Sequence, residues 1–179
     1  MNGILSGNKK SEITEWYHQF SDSIFKYICL MIHDYQQAED LTHETFIKAY
    51  KYYNSFEHKS NPRTWLFSIA HNITIDFLRK KKPLRIIADI LLTREDSNPL
   101  PADIVEIKEN SKELYNAISN LKESYREVII IRKIKGFSIK ETTEILNWSE
   151  GKVKTTLYRA IQALEKQLIK EGFLNEKTI

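Results

Sequence analysis

The stretch Ser138-Ile139-Lys140-Glu141-Thr142-Thr143-Glu144-Ile145-Leu146-Asn147-Trp148-Ser149-Glu150-Gly151-Lys152-Val153 decides how this chain folds. Ser138 and Glu141 stand at the S-x-x-E spacing of a capping box, in which each side chain satisfies the other's orphan backbone N–H, so a short helix opens there and runs through Leu146. Ser149 is a second N-cap. Behind it Val153, Leu157, Ala160, Ile161, Leu164 and Leu168 recur at three- and four-residue steps, which predicts a longer helix. Between the two helices stand Asn147 and Trp148, and Asn accepts the left-handed backbone that so tight a turn needs. A short helix, a tight turn and a longer helix make a helix-turn-helix, whose second helix enters the DNA major groove N-terminus first. With Val153 buried, Thr143 falls where the helices cross, and Lys152, Lys154, Thr155, Tyr158 and Arg159 face outward, able to reach phosphates or base edges. An ordinary helical hairpin with a basic face is the competing reading.

Working outward, the β-branched run Val128 to Ile131 resembles a strand, but its place between Leu121 and Gly136, a natural residue just past a helix end, favours a helix from Ser124. Ile104, Ile107, Leu114, Ile118 and Leu121 form a further helical stripe before it. From Pro83 to about Pro101 the periodicity breaks at prolines and at Asp96, Ser97 and Asn98, which predicts a linker that carries an apolar segment from Ile86 to Leu92. Upstream, Trp16, Phe20, Ile24, Tyr27, Ile28 and Met31 mark one amphipathic helix, and Leu41, Thr45, Ala49 and Tyr53 a second. A third opens at Asn61 as N-cap with Pro62 at the first helical position, carries Leu66, Ile69, Ala70, Ile73 and Phe77, and is expected to end on Arg79 to Lys82 before Pro83. The fold class is therefore all-α, with two small helical domains over 11–82 and 104–172 joined by a flexible linker over 83–103.

Composition agrees with this and excludes other classes. The chain has 179 residues, and 41% apolar content suffices for a core. Its 5 glycines leave none between Asn8 and Lys135, which argues against the glycine-rich phosphate loops of Rossmann and P-loop proteins. The single cysteine, Cys29, forms no internal disulfide and no cysteine-based zinc site, as in a reducing compartment. No apolar run approaches the length of a membrane span. The net charge of +3 hides an uneven distribution: −5 over 11–57, +5 over 58–82, −3 over 83–113 and +5 over 132–170. Two basic islands joined by an acidic connector suit a polyanion touched at two places, although solvated helices alternate charge as well.

A second constellation surrounds the third helix. Tyr50, Tyr52, Tyr53, Phe56, Trp65 and Phe67 interleave with Lys51, Lys59 and Arg63 and precede the cations from Arg79 to Lys82. An unstacked base needs a flat partner and its phosphate a counter-charge, so this pattern suits single-stranded nucleic acid. Half of these rings fall at helical spacing and fit a core equally well.

Three segments resemble, in order, the bacterial RNA polymerase sigma factors of the extracytoplasmic-function group, in particular its Bacillus-type cell-envelope stress branch. They are Ala38-Glu39-Asp40-Leu41-Thr42-His43-Glu44-Thr45-Phe46; Trp65-Leu66-Phe67-Ser68-Ile69-Ala70-His71-Asn72 with Asp76 and Arg79-Lys80; and Tyr125-Arg126-Glu127-Val128 through Phe137-Ser138 to Ser149-Glu150-Gly151-Lys152-Val153-Lys154-Thr155. The resemblance implies a cytoplasmic transcription initiation factor. It further implies docking on the β′ clamp coiled coil of core RNA polymerase through Asp40, Leu41, His43, Glu44 and Phe46, with a second polymerase contact at the β flap. Capture of the promoter −10 element would fall to Tyr52, Phe56, Ser60, Arg63, Trp65, Asn72, Arg79 and Lys80. The −35 duplex would be read through Ser149, Lys152, Lys154, Thr155, Tyr158 and Arg159. An anti-sigma partner is also implied. Departures from the family pattern stand at His43 for the usual Gln, which makes one polymerase contact titratable near neutral pH, at Thr143 for Ala, at Asn147 for Gly and at Lys152 for a frequent Thr.

Catalysis is not expected. The five histidines form no H-E-x-x-H and accompany no nucleophile motif, so no catalytic residue, metal, cofactor, small-molecule substrate or direct membrane contact is predicted. The serious rival is a stand-alone helix-turn-helix regulator that binds palindromic duplex DNA as a dimer. Such a regulator has no use for the motif at Asp40 to Phe46.

Overall fold

The structure, a computed structural model, describes residues 2–56, 61–91 and 111–170, with side chains over 8–56, 61–81 and 113–170. Every regular element among them is helical, and the chain divides into two compact units, Met1–Pro99 and Leu100–Ile179.

The first unit packs α1 (Asn2–Ile32), α2 (Tyr35–Tyr52) and α3 (Pro62–Leu91) against one another. Its core follows the apolar spacing: Ile24, Tyr27, Ile28 and Met31 of α1 are fully buried against Ala38, Leu41 and Ala49 of α2 and Leu66, Phe67 and Ala70 of α3. The stripe of α3 is rotated from the expected one, for Phe67 and Thr74 are buried while Ile69 and Phe77 are half-exposed. Buried threonines close their own hydroxyls onto carbonyls one turn back, Thr42 to Ala38 at 2.7 Å and Thr45 to Leu41 at 2.8 Å, so they enter the core without an unmet donor. Between α1 and α2 the chain turns at His33, a non-glycine residue at φ +56°, and Asp34 then accepts the Gln37 N–H at 3.1 Å as N-cap of α2. Asp34 also lies 3.6 Å from the Lys81 ammonium, which ties α3 to the start of α2. A 3-10 turn over Tyr53–Ser55 ends α2, and Asn61 opens α3 as expected, accepting the Arg63 N–H at 2.9 Å.

One expectation fails here. The third helix does not stop at Pro83 but continues to Leu91, so Arg79 to Lys82 lie within it, and the first part of the expected linker is helical. Proline inside a helix costs about 3 kcal/mol through its own missing N–H and its ring, but it leaves the next residues free to propagate. Leu84 to Leu91 contain no glycine or second proline to end the helix there. The rest of the linker and the stripe residues Ile104 and Ile107 lie outside the described residues.

The second unit holds α4 (Ser111–Ser119), α5 (Glu123–Ile129), a π-helical turn (Ile130–Ile134), α6 (Ile139–Leu146) and α7 (Glu150–Lys170). Val128 to Ile131 are helical and all buried. Four consecutive positions cover about 300° of a helix circumference, so this segment is enclosed on nearly every side. The helix leaves through Gly136 at φ +73°, but by a π turn that the periodicity does not foretell, with Lys135 N–H on the Ile130 carbonyl at 2.8 Å. The Arg132 guanidinium donates to the Phe137 carbonyl and holds the exit.

The capping box forms as read: Ser138 N–H donates to Glu141 Oε2 at 2.8 Å and Glu141 N–H to Ser138 Oγ at 3.2 Å. Asn147 ends α6 at φ +51°, and Ser149 accepts the Lys152 N–H at 3.2 Å at the start of α7. Phe137, Ile145, Leu146, Val153 and Ala160 close the core of this helix pair. Replacing Asn147 with Val should destabilise this unit by about 1–2 kcal/mol, the cost of a side chain with a Cβ branch in the left-handed region, whereas Asn147→Gly should not weaken it. Chemical denaturation of the full chain, followed by the helical signal, measures both.

Candidate functional site

Three exposed faces carry the candidate residues. The first is on α2, where Asp40, His43, Glu44 and Ile47 stand at i, i+3, i+4 and i+7 and therefore share one side of the helix. Asp40 and His43 are exposed, and the His43 ring stacks on Tyr17 with centroids 6.3 Å apart. Glu44 pairs with Lys48 at 3.0 Å, an exposed contact worth little. Leu41 and Phe46 turn inward, Phe46 against Tyr17 at 4.9 Å, so they hold this face rather than form it. Ile47, 68% exposed, is an apolar side chain on the same face that the sequence reading passed over. Its helical spacing from Asp40 was the available signal.

The second face joins the end of α2 to the start of α3. Trp16, Tyr53, Phe56 and Trp65 form one aromatic cluster: Trp16 lies 5.9 Å from Tyr53, 5.3 Å from Phe56 and 6.1 Å from Trp65, and Phe56 lies 4.9 Å from Trp65. Both halves of the ambiguous aromatic pattern are thereby realised. Phe56 is 5% exposed and Phe67 fully buried, which makes them core, while Tyr52 is exposed and Trp65 half-buried at the rim. The Tyr53 hydroxyl donates to the Glu12 carboxylate; burial first, and then that carboxylate, raise its pKa, so it remains a donor. Arg63 places its guanidinium 5.7 Å from the Phe67 ring centre. Farther along α3, Asn72, Asp76, Arg79 and Lys80 are exposed at i, i+4, i+7 and i+8, one polar strip running from the aromatic rim into the basic run. Beneath Asn72, His71 is buried with its Nδ1 3.1 Å from the Tyr27 hydroxyl. Burial, and secondarily the Arg79 charge, lower its pKa to about 4, so the imidazole is neutral near pH 7. Ser60 lies outside the described residues.

The third face is the first half of α7. Ser149, Lys152, Lys154, Thr155, Tyr158 and Arg159 are all exposed, Tyr158 to 66%. Lys152, Thr155 and Arg159 fall within about 60° of one another on the helix and Tyr158 flanks them. Lys154 is about 160° from Lys152 and pairs instead with Glu150. The Lys152 ammonium sits over the Trp148 ring at 4.1 Å, so the turn residue that the sequence treats as spacer orients an exposed cation.

Among the described residues no group of His, Cys, Asp and Glu is arranged to hold a metal ion, and no helix is long and apolar enough to cross a membrane.

Known proteins share this arrangement. Sigma-70 region 2 matches residues 16–83 and sigma-70 region 4 matches residues 111–164. The chain is 35% identical over 170 residues to the ECF RNA polymerase sigma factor SigX of Bacillus subtilis, covering 90% of this chain and 87% of that protein. It is 37% identical over 166 residues to SigM of the same organism, covering 92% and 99%. Among solved structures, the sigma factor RpoE of Bartonella quintana in complex with the anti-sigma factor NepR superimposes with a TM-score of 0.74 at 25% identity, covering 88% of this chain and 97% of that one. CnrH, solved with the cytosolic domain of CnrY, shares the fold with a TM-score of 0.67 at 19% identity over 93% and 96%. With both sigma-70 regions matched in order, each on its own helical unit, the chain belongs to the extracytoplasmic-function group of RNA polymerase sigma factors.

Proposed function

We propose that this chain binds core RNA polymerase and directs it to promoters, reading a −35 element with α7 and opening a −10 element with the rim between α2 and α3. It is not an enzyme in this reading and works in the cytoplasm. The observation that carries the reading is the presence of three exposed faces of different chemistry, two on the first unit and one on the second. Asp40, His43 and Glu44 offer an acidic docking surface for the β′ clamp, flanked by exposed Ile47. The strip from Tyr52, Arg63 and Trp65 to Asn72, Arg79 and Lys80 combines rings, an amide and cations, the chemistry that holds an extruded base and its phosphates. Phe56, buried beneath Trp65, acts as the floor of that surface, and the resemblance assigns Ser60 to the same contact. Lys152, Thr155, Tyr158 and Arg159, with Ser149 and Lys154 on the flanking phosphates, suit duplex readout from the major groove.

The functional domains in this reading are 11–82 and 104–172, with 83–103 between them. Two modest DNA contacts on one chain raise each other's effective concentration. The second unit would also meet the β flap. An anti-sigma factor that covers these faces is supported by the Bartonella complex, whose sigma factor was solved with such a partner. A role in cell-envelope stress follows from the resemblance to the Bacillus relatives.

The test separates the faces. Asp40→Ala with Glu44→Ala should lower affinity for core polymerase without altering the promoter sequence selected. Arg159→Ala should cost about 1–3 kcal/mol of promoter duplex binding by the holoenzyme and leave core association intact. Asn72→Ala should slow open-complex formation more than duplex binding. Equal effects of all three on every step would contradict the division of labour.

A further inference from the structure

The described helix α1 begins at Asn2, well before residue 16, where the region 2 match starts. This leading segment packs on Tyr50 and Tyr53, beside the surface assigned above to single-stranded DNA. Ile13 and Trp16 are buried, Glu12 accepts the Tyr53 hydroxyl, and the Lys9 ammonium lies 4.2 Å from the centre of the Tyr50 ring and 6.0 Å from that of Tyr53. Among the described residues Lys9 has no carboxylate partner: its charge is held by rings, which orient it without neutralising it. The Glu12 carboxylate, one turn along, is occupied by the Tyr53 hydroxyl and the Asn8 amide, the latter at 3.1 Å. Tyr50 is 42% exposed, Lys10 is exposed, and on the adjoining turn Lys51 lies 5.5 Å from the centre of the exposed Tyr52 ring. Exposed rings paired with unneutralised cations are what a stacking and phosphate-binding surface for a single strand requires.

We propose that Lys9, from the leading turns of α1, and Tyr50 of α2 form a further contact for the backbone of the displaced, non-template DNA strand. The inference rests on the reading of the α2–α3 rim as the −10 strand surface and extends that surface onto a part of the chain outside the family match. Lys9 takes a phosphate, Tyr50 holds the ammonium in place, and Lys10 and Lys51 add to the local positive potential. Because a backbone contact carries no base information, the gain applies to any sequence on the strand.

The experiment uses holoenzyme reconstituted from the full chain and core polymerase, with a fluorescent single-stranded oligonucleotide carrying the non-template −10 sequence of a promoter that this holoenzyme transcribes. Lys9→Ala is expected to weaken oligonucleotide binding roughly three- to tenfold at low salt and to reduce the steepness of the salt dependence by about 0.7, the value for one lost phosphate on a single strand. Lys9→Arg should restore both, and Tyr50→Ala should behave like Lys9→Ala. Unchanged affinity and salt dependence in Lys9→Ala would overturn the proposal. So would a lowered affinity for core polymerase with oligonucleotide binding intact, which would make the pair part of the polymerase surface. Asn72→Ala run in parallel separates the two levels: if it weakens binding and Lys9→Ala does not, this inference alone fails. If neither matters, the strand surface itself is misassigned.

Discussion

Trp16→Ala should destabilise the N-terminal unit by about 3–5 kcal/mol, the range for removing a buried tryptophan from a packed core. The effect is large because Trp16 touches three other rings at once, Tyr53, Phe56 and Trp65, and these come from the 3-10 turn after α2, the residue that closes that turn and the first turn of α3. No single neighbour can collapse into the space. Urea denaturation of the full chain measures the loss, and Trp16→Phe, which keeps part of the cluster, should lose less. A functional consequence follows. Since Trp65 and Phe56 stand on Trp16, the alanine variant should open promoters poorly even at temperatures where it is folded, and a promoter supplied already melted should restore most of the transcription. A loss below about 1 kcal/mol would mean that the cluster does not anchor α1 to the rim.

The second large effect is on acid stability. His71 is buried with its pKa lowered to about 4, while in the unfolded chain it titrates at about 6.5. Below pH 6.5 the unfolded state therefore takes up a proton that the folded state refuses, and stability falls as pH drops through this window until it levels off below about pH 4. The difference of about 2.5 units amounts to roughly 3 kcal/mol for a group this deeply placed. His71→Gln, which cannot take up the proton, should be less stable near pH 7 through the disturbed Tyr27 contact but should lack this component of the pH dependence. Denaturation midpoints at several pH values between 7 and 4, wild type against variant, measure the difference. Parallel curves would show that His71 does not stay neutral in the fold.

Much of the second unit was legible because its signals are local. A capping box, an N-cap serine and an asparagine at the turn each act within four residues, so Ser138, Ser149 and Asn147 could be read from the chain and are found in those roles. Asn61 opens α3 for the same reason. The failures lie where the outcome depends on residues distant in sequence. Pro83 is the local exception: its missing N–H and its ring weaken the helix without ending it, and the residues just beyond it carry the helix on to Leu91. His33 stands at φ +56° where α1 turns into α2, and nothing in the apolar spacing around it marks that turn. The π turn after Ile129 is equally silent in the periodicity.

The candidate faces divide in the same way. On α7 the exposed side chains follow from knowing that Val153 is buried. On α2 the motif residues Leu41 and Phe46 belong to the core, since a sequence motif mixes the residues that make a surface with those that hold it. The aromatic segment was undecidable from spacing because Phe56 is buried by Trp16, forty positions away in sequence. The same long-range packing brings Lys9 to Tyr50.

The most direct test is to mix the purified chain with bacterial core RNA polymerase, measure binding by pull-down, and run transcription on fragmented genomic DNA of the source organism. Saturable binding with discrete transcripts that need both components is expected, and the start sites should share two sequence elements at a fixed separation. Failure to bind core polymerase, together with tight binding to palindromic duplex DNA by the chain alone, would contradict a sigma factor and identify a dimeric regulator instead.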